Sequence, residues 1–159
     1  MALLDKLFEF SDAQALAGTA GTTILSTNQV DLQVVRDIGR GRPLYLVISV
    51  DTEIITGGSA GTLQFAFVSD DSASIHATTR SVHFLSHAFV TDDSAANDVL
   101  MNAGSYPVVI PIPLEGNEYE RYLGVQYIPA TTDITAGAVS AYLTFDPPTT
   151  TKTYADASN

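Results

Sequence analysis

The chain has 159 residues, 45% of them hydrophobic, with 18 acidic residues against 7 basic ones and a net charge of −11. That length suits one ordinary core, and the charge argues against a phosphate-tracking surface, which needs clustered Lys and Arg. With no cysteine there is neither a disulfide framework nor a thiolate metal site, and no run reaches the roughly 18 apolar residues of a membrane-spanning helix. Neither nucleic acid nor membrane is expected as a partner.

In chain order, residues 1–21 open with Leu3, Leu4, Leu7 and Phe8 on one face of a short helix. Asp5 and Glu9 interrupt the apolar run that an export signal would need, so a soluble protein made without such a signal is expected. The small-residue run AQALAGTAGT then offers little to pack, and the whole segment is expected to be an extended N-terminal arm, ordered against a partner. Residues 22–32 read as a first strand bent at the polar STNQ. RDIGRGR follows, a glycine-punctuated loop carrying Arg36, Asp37, Arg40 and Arg42, the dense basic cluster of an acidic chain. From Pro43 the alternation of Leu44, Leu46, Ile48 and Val50 with Tyr45, Val47, Ser49 and Asp51 predicts a strong strand.

The glycine-rich TGGSAG turn leads into a strand with Leu63, Phe65 and Phe67 on one face, so residues 44–68 read as a hairpin. A weak extended segment at 75–79 precedes a strand over 82–91. Asp92, Asp93 and Ser94 are possible caps for a turn or two of helix that stops at Gly104. Pro107, Pro111 and Pro113 demote YPVVIPIPL to an edge strand, because proline donates nothing to a ladder.

Residues 119–145 read as a second hairpin, two strands joined by a Thr-rich, Gly-containing loop. In the first, Leu123, Val125 and Tyr127 alternate with Tyr122, Gly124, Gln126 and Ile128, apolar or aromatic on both faces, as in a central strand. The second, with one apolar face, suits a rim. The sum is an all-β chain, a jelly roll or antiparallel β-sandwich of about eight strands, in three parts: arm 1–21, sandwich 22–146 and polar tail 147–159.

The catalytic patterns weaken on inspection. Gly57, Ser59 and Gly61 match G-x-S-x-G, but a strand follows where a nucleophile elbow needs a helix. His83 and His87 lie about 13 Å apart along a strand, too far to share an ion. Asp70 with Asp71 and Asp92 with Asp93 lack the spacing of a calcium loop and suit turns. No enzyme activity, metal or cofactor is expected.

RDIGRGRPLYLVISV at 36–50, ERYLGVQYIPATTDITAGAVSAYLTFD at 120–146 and FSDAQAL at 10–16 together resemble the capsid cement (decoration) proteins of short-tailed bacteriophages, of the Bordetella podovirus type. The resemblance implies a jelly roll that assembles as a homotrimer on the capsid exterior of the virion and clamps neighbouring subunits of the major capsid protein. Arg36, Asp37, Arg40 and Arg42 with Leu3, Leu4, Leu7 and Phe8 are then the expected capsid or subunit contacts, and Tyr122, Gln126 and Ile128 the expected subunit interface. Two other readings remain: another virion part, such as a head-completion or tail protein, and a carbohydrate-binding β-sandwich, for which Glu115, Glu118, Tyr119 and Glu120 are the nearest approach to a site.

Overall fold

A computed structural model describes residues 6–35, 38, 41–58, 61–92, 97–114 and 116–148. The chain is all β, with strands β1 (Glu9–Ala15), β2 (Ile24–Leu25), β3 (Val30–Asp31), β4 (Tyr45–Thr56), β5 (Thr62–Asp70), β6 (Ser81–Leu85), β7 (Phe89–Val90), β8 (Val108–Pro111), β9 (Tyr122–Ala130) and β10 (Ile134–Thr144), and 3-10 turns at Lys6–Phe8 and Val99–Met101. Among the described residues no helix is long and apolar enough to cross a membrane.

One sheet runs β1-β10-β4-β8 and the other β2-β9-β5-β6, with β3 beside β9 and β7 beside β5. The registers reveal a simpler object. Tyr45 pairs with Thr144 and Thr56 with Ile134 in the first sheet, and Thr62 with Ala130 and Asp70 with Tyr122 in the second. Residues 45–70 and 122–144 are thus one long antiparallel ribbon that bends over from sheet to sheet. Residues 9–31 follow one side of it, through Glu9 on Tyr142, Gly18 on Ile134 and Val30 on Leu123. Residues 81–111 follow the other, through Ser81 on Ser69, Val90 on Thr62 and Val108 on Ile48. Counting β2 with β3 and β6 with β7 as single positions leaves eight, four per sheet, in jelly-roll order.

This topology corrects four expectations. Residues 44–68 and 119–145 are not hairpins, because β4→β5 and β9→β10 each pass from one sheet to the other. Small residues permit the tight passage: a Cβ on Gly61 would lie 2.4 Å from the Thr56 side chain, and one on Gly137, at φ +147°, would lie 3.0 Å from Ile54 Cα. β10 lies between β1 and β4 rather than at a rim. Residues 9–15 are an edge strand rather than a loose arm, since Phe10 and Leu16 are fully buried and draw the segment onto β10. Residues 75–79 are no strand; Ile75 plugs the outer face of the second sheet, where a Cβ on Gly124 would meet its Cδ1 at 2.6 Å.

Other expectations hold with adjusted detail. The first strand is broken at STNQ into β2 and β3. The strand over 82–91 is interrupted at Ser86, whose Oγ accepts from Phe65 N at 2.9 Å and donates to His87 O at 2.8 Å. The helical turn is only Val99–Met101, capped by Asp98, which accepts from Leu100 N, rather than by Asp92; Asp93 and Ser94 lie outside the described residues. The proline-flanked β8 is an edge strand paired with β4.

The core lies between the sheets. Phe65 meets Tyr127 edge-on at 6.0 Å and Phe89 at 5.7 Å, and Phe10 meets Phe67 at 6.0 Å. Such pairs add about 0.5–1.5 kcal/mol each beyond burial. The buried Tyr127 hydroxyl is satisfied by Ser11 Oγ at 2.7 Å, so the first-sheet edge strand is tied to the second sheet through the core.

Candidate interaction surface at the open end

A once-folded ribbon has a bend and an open end. By topology the open end gathers Lys6–Phe8 before β1, the β3–β4 loop, residues 71–80, the β8–β9 loop and the exit from β10. Here Leu7 is 78% exposed, Val34 55%, Val35 58%, Leu114 62% and Phe145 46%. The Arg42 guanidinium lies 5.1 Å from the Phe145 ring centroid, over its face. Beside it a groove of about 280 Å³ is lined by Pro43, Leu44, Pro111, Ile112 and Leu114. A second groove, of about 580 Å³, runs between Leu7 and Phe8 on one side and residues 29–33 on the other. Phe8 packs against the core while Leu7 projects.

Arg42, Leu7 and Phe8 of the expected contact set therefore lie at this one end. Leu3, Leu4, Arg36, Asp37 and Arg40 lie outside the described residues, as does Ser59. Sequence reasoning passed over Val34, Val35 and Leu114, whose signal was available as apolar residues in Gly- and Pro-bounded segments outside any strand alternation; it read Phe145 as the end of the last strand's apolar face, whereas β10 stops at Thr144 and Phe145 is exposed.

The expected interface on β9 is placed differently. Leu123, Val125 and Tyr127 face the core, whereas Gln126 is 1% exposed beneath Ile75, and Tyr122 and Ile128 are half-buried. On that face Ile75 packs over Gly124 and its carbonyl accepts from the Gln126 amide.

The polar groups near this end brace loops. Arg121 donates from Nε and a terminal nitrogen to the two oxygens of Asp31, both at 2.9 Å, and lies over the Tyr122 ring. The Arg121 hydrogen bond, then the Gln33 N–H, hold the Asp31 carboxyl below its usual range. Asp70 accepts from Ser72 N, His76 N and Thr79 Oγ1, closing residues 71–80. Burial pushes its carboxyl up, but these bonds outweigh burial and hold it low, while Asp71 is raised by its hydrogen bond to Asp70 and by that neighbour's charge. Oxygens of Asp70, Asp71 and Glu120 lie within 4.8 Å of one another, a grouping the sequence alone did not bring together.

Ser69 Oγ and His83 Nε2 are 2.7 Å apart, which resembles a nucleophile and its base. Ser69 is fully buried, however, and its Oγ accepts from Glu120 N, so the pair links β5, β6 and the β8–β9 loop. His83 also stacks on Tyr119 at 4.1 Å, and burial lowers its pKa against the charge of Glu120. His87 stacks instead on Phe89, so the two histidines serve separate contacts. Tyr119 is 4% exposed, its hydroxyl donating to Pro113 O and pushed up to about 12 by burial; it offers no platform for a sugar ring. Glu120 accepts from Ser81 Oγ, Glu118 is exposed, and Glu115 lies outside the described residues.

What this arrangement offers, then, is an apolar, arginine-bearing end on a β-sandwich. A family model, Bbp16, matches residues 10–143, which covers β1 to β10 almost entirely. The chain belongs to the Bbp16 family. This is a family of Bordetella phage proteins, and the all-β fold is compatible with a phage structural protein. No curated protein matches the chain.

Proposed function

We propose that this Bbp16-family chain is a capsid decoration protein, which binds the exterior of the phage head as a homotrimer and braces contacts between major capsid protein subunits. The observation that carries the reading is the open end, where exposed Leu7, Val34, Val35, Leu114 and Phe145 share one end of the sandwich with Arg42, on a chain of net charge −11. Exposed apolar residues gathered at one end of a domain mark a contact surface, and an arginine there suits carboxylates on the partner. Repetition by symmetry turns modest contacts into firm attachment. The reading needs no catalytic step, cofactor, nucleic acid or membrane.

Native mass measurement followed by co-sedimentation with heads lacking the protein tests it. A trimer that pellets with heads is expected. A monomer or dimer overturns the stoichiometry, a ring of another symmetry favours a head-completion or tail protein, and failure to pellet overturns the decoration reading. Arg40→Ala with Arg42→Ala is expected to leave oligomerisation and melting unchanged while weakening head binding and flattening its salt dependence. Loss of assembly would assign the loop to bracing within the oligomer.

A further inference from the structure

The bonds made by Ser69 fix the direction of its contact with His83. Ser69 is fully buried, its Oγ accepts from Glu120 N at 3.1 Å, and it lies 2.7 Å from His83 Nε2. Among the described residues these are the partners of that hydroxyl, so its proton goes to His83 Nε2, which is then a bare acceptor with the ring proton on Nδ1. Protonation of the ring reverses this bond. Nε2 becomes a donor, Ser69 Oγ accepts twice, and the hydroxyl proton is left buried without an acceptor, which is unfavourable.

The same ring supports the β8–β9 connection from below. It lies on Tyr119 at 4.1 Å, with 31° between the planes, and 6.1 Å from Phe67. Tyr119 in turn donates to Pro113 O, and the adjoining Ile112 and Leu114 line the groove of about 280 Å³ at the open end. The charges around the ring do not offset its burial. From the β8–β9 connection Glu120, whose carboxylate accepts from Ser81 Oγ, favours the imidazolium, but burial outweighs it and holds His83 below its ordinary 6.5. At the end of β5, Asp70 is taken up by residues 71–80 and Asp71 by Asp70, while Arg80, just before β6, donates to Ala77 O.

We propose that His83 is a proton-operated latch on the β8–β9 connection: neutral, it holds Tyr119 and Glu120, and through them the Pro113–Leu114 corner, against β5 and β6; protonated, it releases them. The latch acts on the shape of the open end, through the segment that presents Leu114, and does not depend on what that end binds.

Nitrogen NMR of the ¹⁵N-labelled full chain tests the bond direction. At about pH 7.5 His83 is expected as the Nδ1–H tautomer with Nε2 unprotonated, and an Nε2–H tautomer overturns the proposal. Amide hydrogen exchange, corrected for its intrinsic pH dependence, tests the release. The Glu120 amide is expected to exchange through an opening of its own, faster than the amides of β4 and β10. Below about pH 6.5 its protection should fall by up to about tenfold per pH unit, the limit for one proton. His83→Gln, which still accepts from Ser69 but takes up no proton, should hold the protection of Glu120 level down to about pH 5. Protection of Glu120 that is flat with pH in the parent, or that is lost in step with β4 and β10, overturns the latch; both are read on the parent, whatever the variant does. An equal loss in His83→Gln overturns it too, since the proton would then be assigned to Asp70, Asp71 or Glu120.

Discussion

The two ends of the folded ribbon are tied in different proportions by backbone and by side chains. At the bend, backbone bonds carry the ladder across the fold: Gly18 and Ile134 exchange bonds at 3.2 and 3.0 Å, Gly21 N donates to Pro129 O at 2.8 Å, and Thr56 N and Thr91 N donate to Thr91 O and Gly61 O. Thr56 Oγ1 also donates to Thr91 O. At the open end the loops are tied by side chains, through Asp31–Arg121, Asp70 and Tyr119, and apolar residues project. The difference separates the end that closes the fold from the end left free for contact. Substitutions should therefore split into those that act on stability and those that act on binding.

The largest expected effect is at the bend. Gly61→Val forces side-chain atoms into Thr56, whose atoms already lie 2.4 Å from an added Cβ, and should cost about 3 kcal/mol, the upper part of the range for overpacking. Denaturant titration reads this as a lower midpoint at unchanged slope. A loss under about 0.5 kcal/mol, the scatter of ordinary surface changes, would show that the bend is looser than its geometry.

The matching change at the open end is Leu114→Ser with Arg42→Ala. Stability should move by no more than about 0.5 kcal/mol, since Leu114 is 62% exposed and Arg42 is on the surface. Head binding should weaken about tenfold or more, corresponding to about 1.4 kcal/mol. Sedimentation with heads measures it, and unchanged binding with intact folding would remove the open end as the attachment surface.

This division also explains what was legible in the sequence. Period-two alternation in residues 44–51, 63–68 and 123–128 reports which side chains face a core, and all three segments are strands with those residues buried. Alternation does not say which sheet a strand joins, so TGGSAG and the Thr-rich loop read as hairpin turns although both are crossings. The arm was misread for a related reason. Its Ala and Gly residues are poor on their own, but Phe10 and Leu16 meet a core assembled from residues far along the chain, Phe67 and Tyr127 among them. Of the contact set, the basic loop stood out by charge, whereas Val34, Val35, Leu114 and Phe145 become a group only when three segments are brought to one end. Gln126 looked like an interface residue because nothing local shows that Ile75 covers it.

A smaller effect concerns protons at the open end. Burial favours neutral His83, so the unfolded chain takes up a proton near the ordinary 6.5 before the folded one does. The stability this gives is whole above that value and falls as pH drops below it towards the folded pKa. Asp70, held low, contributes stability that is whole above the ordinary 3.8 and lost as pH falls through its folded value; Asp71, raised, takes its proton earlier and relieves repulsion. His83→Gln, which keeps an acceptor for Ser69, should therefore flatten the decline in melting temperature between about pH 7 and 5. An unaltered slope would mean that His83 titrates alike in both states.

The smallest effect should come from the most regular ion pair. Arg121 and Asp31 make two parallel bonds, yet their side chains are 45% and 39% exposed, so water and salt screen the attraction that the geometry suggests. Arg121→Met keeps a stem to lie over Tyr122 while removing the charge, and it should shift melting by about 1 °C or less at physiological salt. Asp31 would still accept from Gln33 N at 2.7 Å, so the turn after β3 retains its local tie. Melting curves across a salt series measure the pair: the small difference between parent and variant should shrink as salt rises. A difference of several degrees that persists at high salt would mean that the open end is held by its ion pair, and the contrast with the hydrogen-bonded bend would lose its physical basis.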